Sequence, residues 1–235
     1  MNEKRPITFT LFLLRLLSGL TGGIAGTLAA FVVYFLMLSF IPAGGEASSL
    51  STFTVIIMAF VGTLIANTVT ALMLTFMDSQ KYSRRKTTIT HVFIFNLALF
   101  FFTIPLYLLA IPLDIVIGVA ALHFLLSAFV SALIMEVLAG YEYSLLGIYG
   151  VSLGIFLSIG LALVALATKS SALFITLAAM PIVWLILMIV NSFAELIYDN
   201  FVHYYGVDAL NVKTDLGGDT EVEKDEEEET EDKES

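Results

Sequence analysis

Six long apolar runs, each of about twenty or more residues, constrain this chain more than any other feature. Crossing a hydrocarbon core of about 30 Å takes about 20 such residues in a helix, so the pattern predicts an all-α, polytopic integral membrane protein. The shortage of charge agrees, because only 14% of the 235 residues are charged, against about 25% in ordinary soluble domains. Predicted spans are 18–40, 52–76, 91–110, 114–138, 144–167 and 172–198. A five-span or re-entrant arrangement is the alternative, since so little separates the third and fourth.

The first run is too long for one crossing. As a single helix, Phe9 to Ile41 measures about 50 Å at the usual rise. Residues 1–17, including Phe9 to Leu17 with Arg15, are therefore expected to form a cytoplasmic start and an interfacial helix, or to extend the first span at that surface. No cleavage boundary interrupts the run, so an uncleaved first helix is expected rather than a signal peptide.

Charge supplies the orientation. Lys4, Arg5 and Arg15, with Lys81, Arg84, Arg85 and Lys86 between the second and third spans, place the N-terminus and that loop in the cytoplasm. Lys169 is the one basic residue expected outside. An even number of spans returns the C-terminus to the cytoplasm, and a plasma membrane location is expected. Tyr82, Tyr141, Tyr143, Tyr198, Tyr204 and Tyr205 gather at the same boundary, as an aromatic belt does. Residues 201–214 form a juxtamembrane segment, and Asp215 to Ser235 carries twelve acidic residues against Lys224 and Lys233. That tail accounts for the whole net charge of −10 and buries too little apolar surface to order itself, so a disordered acidic tail is expected, able to meet a basic soluble partner. The body carries no basic excess that would call for nucleic acid.

Polar residues within the spans are the functional candidates, because lipid leaves them without partners. Asn191, Glu195 and Asp199 share one face of the sixth span by their four-residue spacing. Counting depth from the outer boundary puts Glu136 and Glu195 about 33 and 36 Å down, near the inner interface and level with Arg15. The expectation is an inner polar layer of Arg15, Asn67, Asn96, Glu136, Asn191 and Glu195, with Arg15 pairing Glu195 or Glu136. The amides are expected to hydrogen-bond between helices. His123 falls at mid-membrane as the one titratable group there, bonded to Ser127 or another helix, and Trp184 is expected to pack. Pro105 is expected to kink the third span.

Small residues mark close packing: Gly19, Gly22, Gly23 and Gly26 in the first span, and Gly147, Gly150 and Gly154 in the fifth. These faces offer a route to a homo- or hetero-oligomer. The absence of cysteine excludes disulfides and thiolate sites. No HExxH, GxSxG or P-loop pattern occurs, and His91, His123 and His203 lie at different depths, so neither metal nor cofactor is expected. The sequence reading is thus a non-enzymatic membrane scaffold or subunit first, then a small transporter or channel with a cytoplasm-facing vestibule, then a membrane enzyme.

Overall fold

The computed structural model describes residues 8–39, 52–109, 113–139, 141–167 and 172–205, with some side chains near helix ends excepted. These form helices α1 (Phe9–Ser39), α2 (Thr52–Met77), α3 (Arg85–Leu109), α4 (Leu113–Ala139), α5 (Tyr141–Ala167) and α6 (Ala172–Tyr205). Six helices appear as expected. Five contain a stretch long and apolar enough to cross a bilayer, and α5 has a shorter apolar stretch, Leu146–Leu161, among its described residues. Residues 40–51 between the first two helices, the Lys169 turn, residues 206–214 of the juxtamembrane segment and the acidic tail lie outside the described residues, while residues 201–205 of the juxtamembrane segment continue α6. The side chains of Asp199 and of every proposed belt tyrosine except Tyr82 also lie outside the described residues. The chain divides into two units, Met1–Asn200 and Phe201–Ser235. Every contact below belongs to the first.

Helix ends overshoot the apolar limits. The first helix is continuous from Phe9 through Arg15 to Ser39, with no break at Leu17, and α3 starts at Arg85, so Arg85 to Thr90 is helical rather than loop. Hydropathy measures how much helix lipid will hold, whereas the backbone continues as long as its own hydrogen bonds do.

The helices alternate between inner and outer positions. In their most apolar windows α2 is 50% buried and α4 and α6 are each 44% buried, against 22% for α1 and α3. The even-numbered helices therefore make the centre. Each odd-numbered helix lies against two of them. The first helix meets α2 through Gly22, where an added Cβ would stand 2.7 Å from the Ala66 carbonyl oxygen, and meets α6 through Gly23, 2.6 Å from the Pro181 nitrogen. The third helix lies against α2 and α4: Phe100 stacks on Phe60 at 4.1 Å, and Thr103 Oγ1 lies 2.8 Å from His123 Nδ1. The fifth meets α4 at Gly147, 2.6 Å from the Glu136 Cβ, and α6 at Gly150, 2.9 Å from the Asn191 Cα.

The glycine faces pack on helices of this same chain: Gly19 faces Trp184 and Met188, Gly26 faces Gly62 and Ala66, and Gly154 faces Leu187. A Cβ there would meet backbone that cannot rotate away, which is why glycine is needed for α1 to sit on its two neighbours. Exposed faces are apolar instead, among them Phe35 and Leu28 on α1, Phe101 and Phe102 on α3, and Phe156 and Leu153 on α5. Large apolar side chains point out and polar ones point in, the distribution of a bundle solvated by lipid.

Candidate functional site

Five charged side chains meet at one end of the bundle. Each central helix contributes a carboxylate there: Asp78 follows α2, Glu136 lies on α4 and Glu195 on α6. Two cations bridge them. Arg15 of α1 donates from Nε to Asp78 Oδ2 at 2.8 Å, with its second terminal nitrogen 2.7 Å from the same oxygen, and from Nη1 to Glu195 Oε2 at 3.0 Å. Lys81, in the α2–α3 turn, donates to Glu195 Oε1 and lies 2.7 Å from Glu136 Oε2. The result is a ladder of alternating sign, Asp78, Arg15, Glu195, Lys81, Glu136. All five are at least 95% buried.

Neutral donors complete it. The Tyr82 hydroxyl donates to Glu136 Oε1 at 2.6 Å, and Asn191 Nδ2 donates to the same oxygen at 2.7 Å. Burial, and next the charge of Glu136, push the Tyr82 phenol well above its ordinary value. The hydroxyl stays a donor because losing its proton would set a phenolate against a carboxylate. Tyr82 is 2% exposed, so it is no member of an interfacial belt. A cleft of about 130 Å³ reaches the ladder, lined by Leu11, Met77, Ser79 and Gln80 beside Arg15, Asp78, Lys81 and Glu195.

Asn67 and Asn96, expected in this layer, form a separate rung deeper in the bundle. Asn67 Nδ2 donates to Asn96 Oδ1 at 2.6 Å, Trp184 Nε1 donates to Asn67 Oδ1 at 2.9 Å, and Asn96 Nδ2 donates to Ser131 Oγ at 2.8 Å. Trp184 therefore packs and also serves as a donor. Asn67 is 11 residues from Asp78 along α2, about 16 Å at the helical rise.

His123 makes a third rung. Its Nδ1 lies 2.8 Å from Thr103 Oγ1 and its Nε2 lies 3.3 Å from Thr63 Oγ1, so its partners come from α3 and α2. Ser127 is not one of them, since it donates back to the Phe124 carbonyl at 3.0 Å on its own helix. Between the second and third rungs lies a void of about 10 Å³ lined by Thr63, Asn67, Ser127 and Trp184 among others. The Tyr107 hydroxyl, 1% exposed and near His123, has no hydrogen-bond partner among the described residues. No group of three or more metal-ligating side chains occurs among the described residues.

Three participants escaped sequence reasoning: Asp78, Lys81 and Tyr82. Basic residues between two spans read as solvated loop, so Lys81 was counted for topology alone. Its spacing from Asp78, three residues with opposite charge, was the available signal.

The fold and the layer define a multi-pass integral membrane protein, six apolar helices with a charged, internally paired end. The chain matches no protein-family model, no curated protein and no solved structure.

Proposed function

We infer that the chain is a small membrane transporter or channel for a small cation, the proton included, whose path runs between α2, α4 and α6. The observation that supports this is the convergence of charge: the three central helices each place a carboxylate at one end of the bundle axis, and two bridging cations leave the cluster with one net negative charge. Ionisable groups in a membrane interior are costly, and their convergence on one axis is the mark of an ion pathway. The amide rung and the His123 rung continue polar atoms along that axis. By the positive-inside rule the charged end faces the cytoplasm. The glycine faces, on which an assembly role rested, are occupied within the chain.

Purified protein in proteoliposomes provides the test, with proton, sodium and potassium flux followed separately. At least one flux is expected above that of protein-free vesicles, falling in Glu195→Gln and His123→Ala. Vesicles no leakier than protein-free ones to all three cations would overturn the proposal.

One observation favours a second, non-enzymatic reading as a membrane scaffold or subunit: each charged group of the ladder has a partner inside the ladder, as in a static lock. That reading expects a specific partner to copurify in mild detergent and to be lost when the acidic tail is removed.

A further inference from the structure

We propose that the α2–α3 turn is a plug, seated in the charged end of the bundle and held there by Lys81 and Tyr82, whose release opens the polar axis to water. The inference rests on the transport reading for its purpose but on separate geometry for its mechanism.

A connection between two membrane helices ordinarily runs over the surface. Here Ser79 and Gln80 in the middle of the turn, and Ser83, Arg84, Arg85 and Lys86 after it, are exposed, but Asp78, Lys81 and Tyr82 are only 5%, 3% and 2% exposed. The turn thus stays at the surface and sends three side chains inward. They span the central helices: Lys81 joins α6 to α4 through Glu195 and Glu136, Tyr82 holds Glu136, and Asp78 takes Arg15 of α1. Backbone bonds tie the turn to its own helices, with Asp78 N–H donating to the Leu74 carbonyl at 2.8 Å, Tyr82 N–H to the Asp78 carbonyl at 3.0 Å and Arg85 N–H to the Ser83 carbonyl at 2.9 Å. The side chains of Lys81 and Tyr82 add the links to α4 and α6.

What lies behind these side chains is narrow and partly polar. Ala71 and Ala132 are small buried residues between the ladder and the amide rung, and the void at Asn67, Ser127 and Ala128 follows. What lies in front is the cleft, lined by Ser79, Gln80 and Lys81 of the turn itself, so water or a cation reaching it arrives beside Lys81 and Glu195. A cation there competes with Lys81 for Glu195, which is the event that unseats the turn.

The lack of native cysteine makes the test direct. Single cysteines placed by Ala71→Cys and Ser127→Cys report the axis behind the plug, and Ala30→Cys, buried against α2 farther along the bundle, is the control. A small hydrophilic thiol reagent is applied from the charged side to full-length protein in vesicles. In the otherwise native chain the two axis cysteines are expected to react slowly. Lys81→Met removes the charged tip and Tyr82→Phe removes only the hydroxyl. Losing one hydrogen bond to a charged partner shifts a closed–open equilibrium by about tenfold or more, so labelling of the axis cysteines should accelerate by that factor while Ala30→Cys stays slow.

Unchanged axis labelling in the folded variants overturns the plug. Acceleration shared by Ala30→Cys also overturns it, because the bundle has then loosened as a whole. Should Lys81→Met fail to fold, Tyr82→Phe decides on the same readout. Accelerated labelling without cation flux leaves the plug standing and removes the transport reading; flux with unchanged labelling does the reverse.

Discussion

Removing Arg15 from its place between two carboxylates should be among the most damaging single changes available. Arg15→Met keeps the side chain's length and apolar stem and deletes only the guanidinium. Glu195 retains Lys81, but Asp78 loses both of its contacts with Arg15, at 2.8 and 2.7 Å, and is itself only 5% exposed. The cost therefore falls on one uncompensated buried carboxylate. Breaking a buried pair by deleting one partner costs about 3–5 kcal/mol. Adding Asp78→Asn removes the orphaned charge, and the double variant should recover about half of that loss or more, a coupling within the 0.5–3 kcal/mol range for groups in one network. Trp184 gives the assay: it is the single tryptophan, 1% exposed and bonded to Asn67, so its emission should shift red as the bundle opens in increasing sodium dodecyl sulfate. An Arg15→Met midpoint equal to wild type, or a double variant worse than the single, refutes the ladder as a stabilising element.

Alkaline pH probes Tyr82. Its folded-state value is raised above the ordinary value of about 10, so its contribution to stability is complete below pH of about 10 and is lost as pH climbs toward the folded value. Phenolate absorbance should show late-titrating phenol, and Tyr82→Phe should reduce that late fraction by one tyrosine; an unchanged titration curve contradicts the burial. Gly22→Ala should separate α1 from α2, since the new Cβ would meet the Ala66 oxygen and the Thr70 nitrogen at 2.7 and 2.8 Å. Overpacking of this kind costs about 1–3 kcal/mol on the same detergent titration. Gly118→Ala, where nothing lies within 4 Å, should be silent. Asn67→Ala strands Trp184 Nε1 and frees Asn96, each bond being worth about 0.6 kcal/mol and at most about 1.7 in a membrane. Its native-state tryptophan emission should change, and unaltered emission would count against the Trp184 bond.

What the sequence disclosed follows from one-dimensional quantities. Hydropathy gives span number, and counting residues along a helix gives depth, which is why Arg15, Glu136 and Glu195 could be set at a common level. Rotation about the helix axis and the path of a connection are not one-dimensional. Asn67 and Asn96 were assigned to the charged layer by polarity alone, yet their helices turn them toward each other, Trp184 and Ser131. The glycines announced close approach without saying to what, and the answer came from α2, α4 and α6 of the same chain. Asp78, Lys81 and Tyr82 sit in a turn, where no periodicity exists to reveal that a polar segment faces inward.

The placement of donors around the ladder follows from its charge balance. Three carboxylates face two cations, so one negative charge is left without a full counter-charge in a buried setting, where such an excess is expensive. Glu195 sits between both cations, and Asp78 takes two contacts from Arg15. Glu136 has only a share of Lys81, which it divides with Glu195. It is at Glu136 that the neutral donors collect, with Tyr82 and Asn191 both on Oε1, and it is against Glu136 that α5 supplies Gly147 rather than a side chain. The carboxylate at the weakly compensated end of the ladder thus has its charge dispersed by hydrogen bonds, and one of those bonds comes from the turn. Seating the turn and stabilising the surplus charge are consequently the same event, so Tyr82→Phe should weaken both together: a lower detergent midpoint and faster axis labelling in one variant. A Tyr82→Phe protein that changes one without the other would show that charge balance and closure are independent.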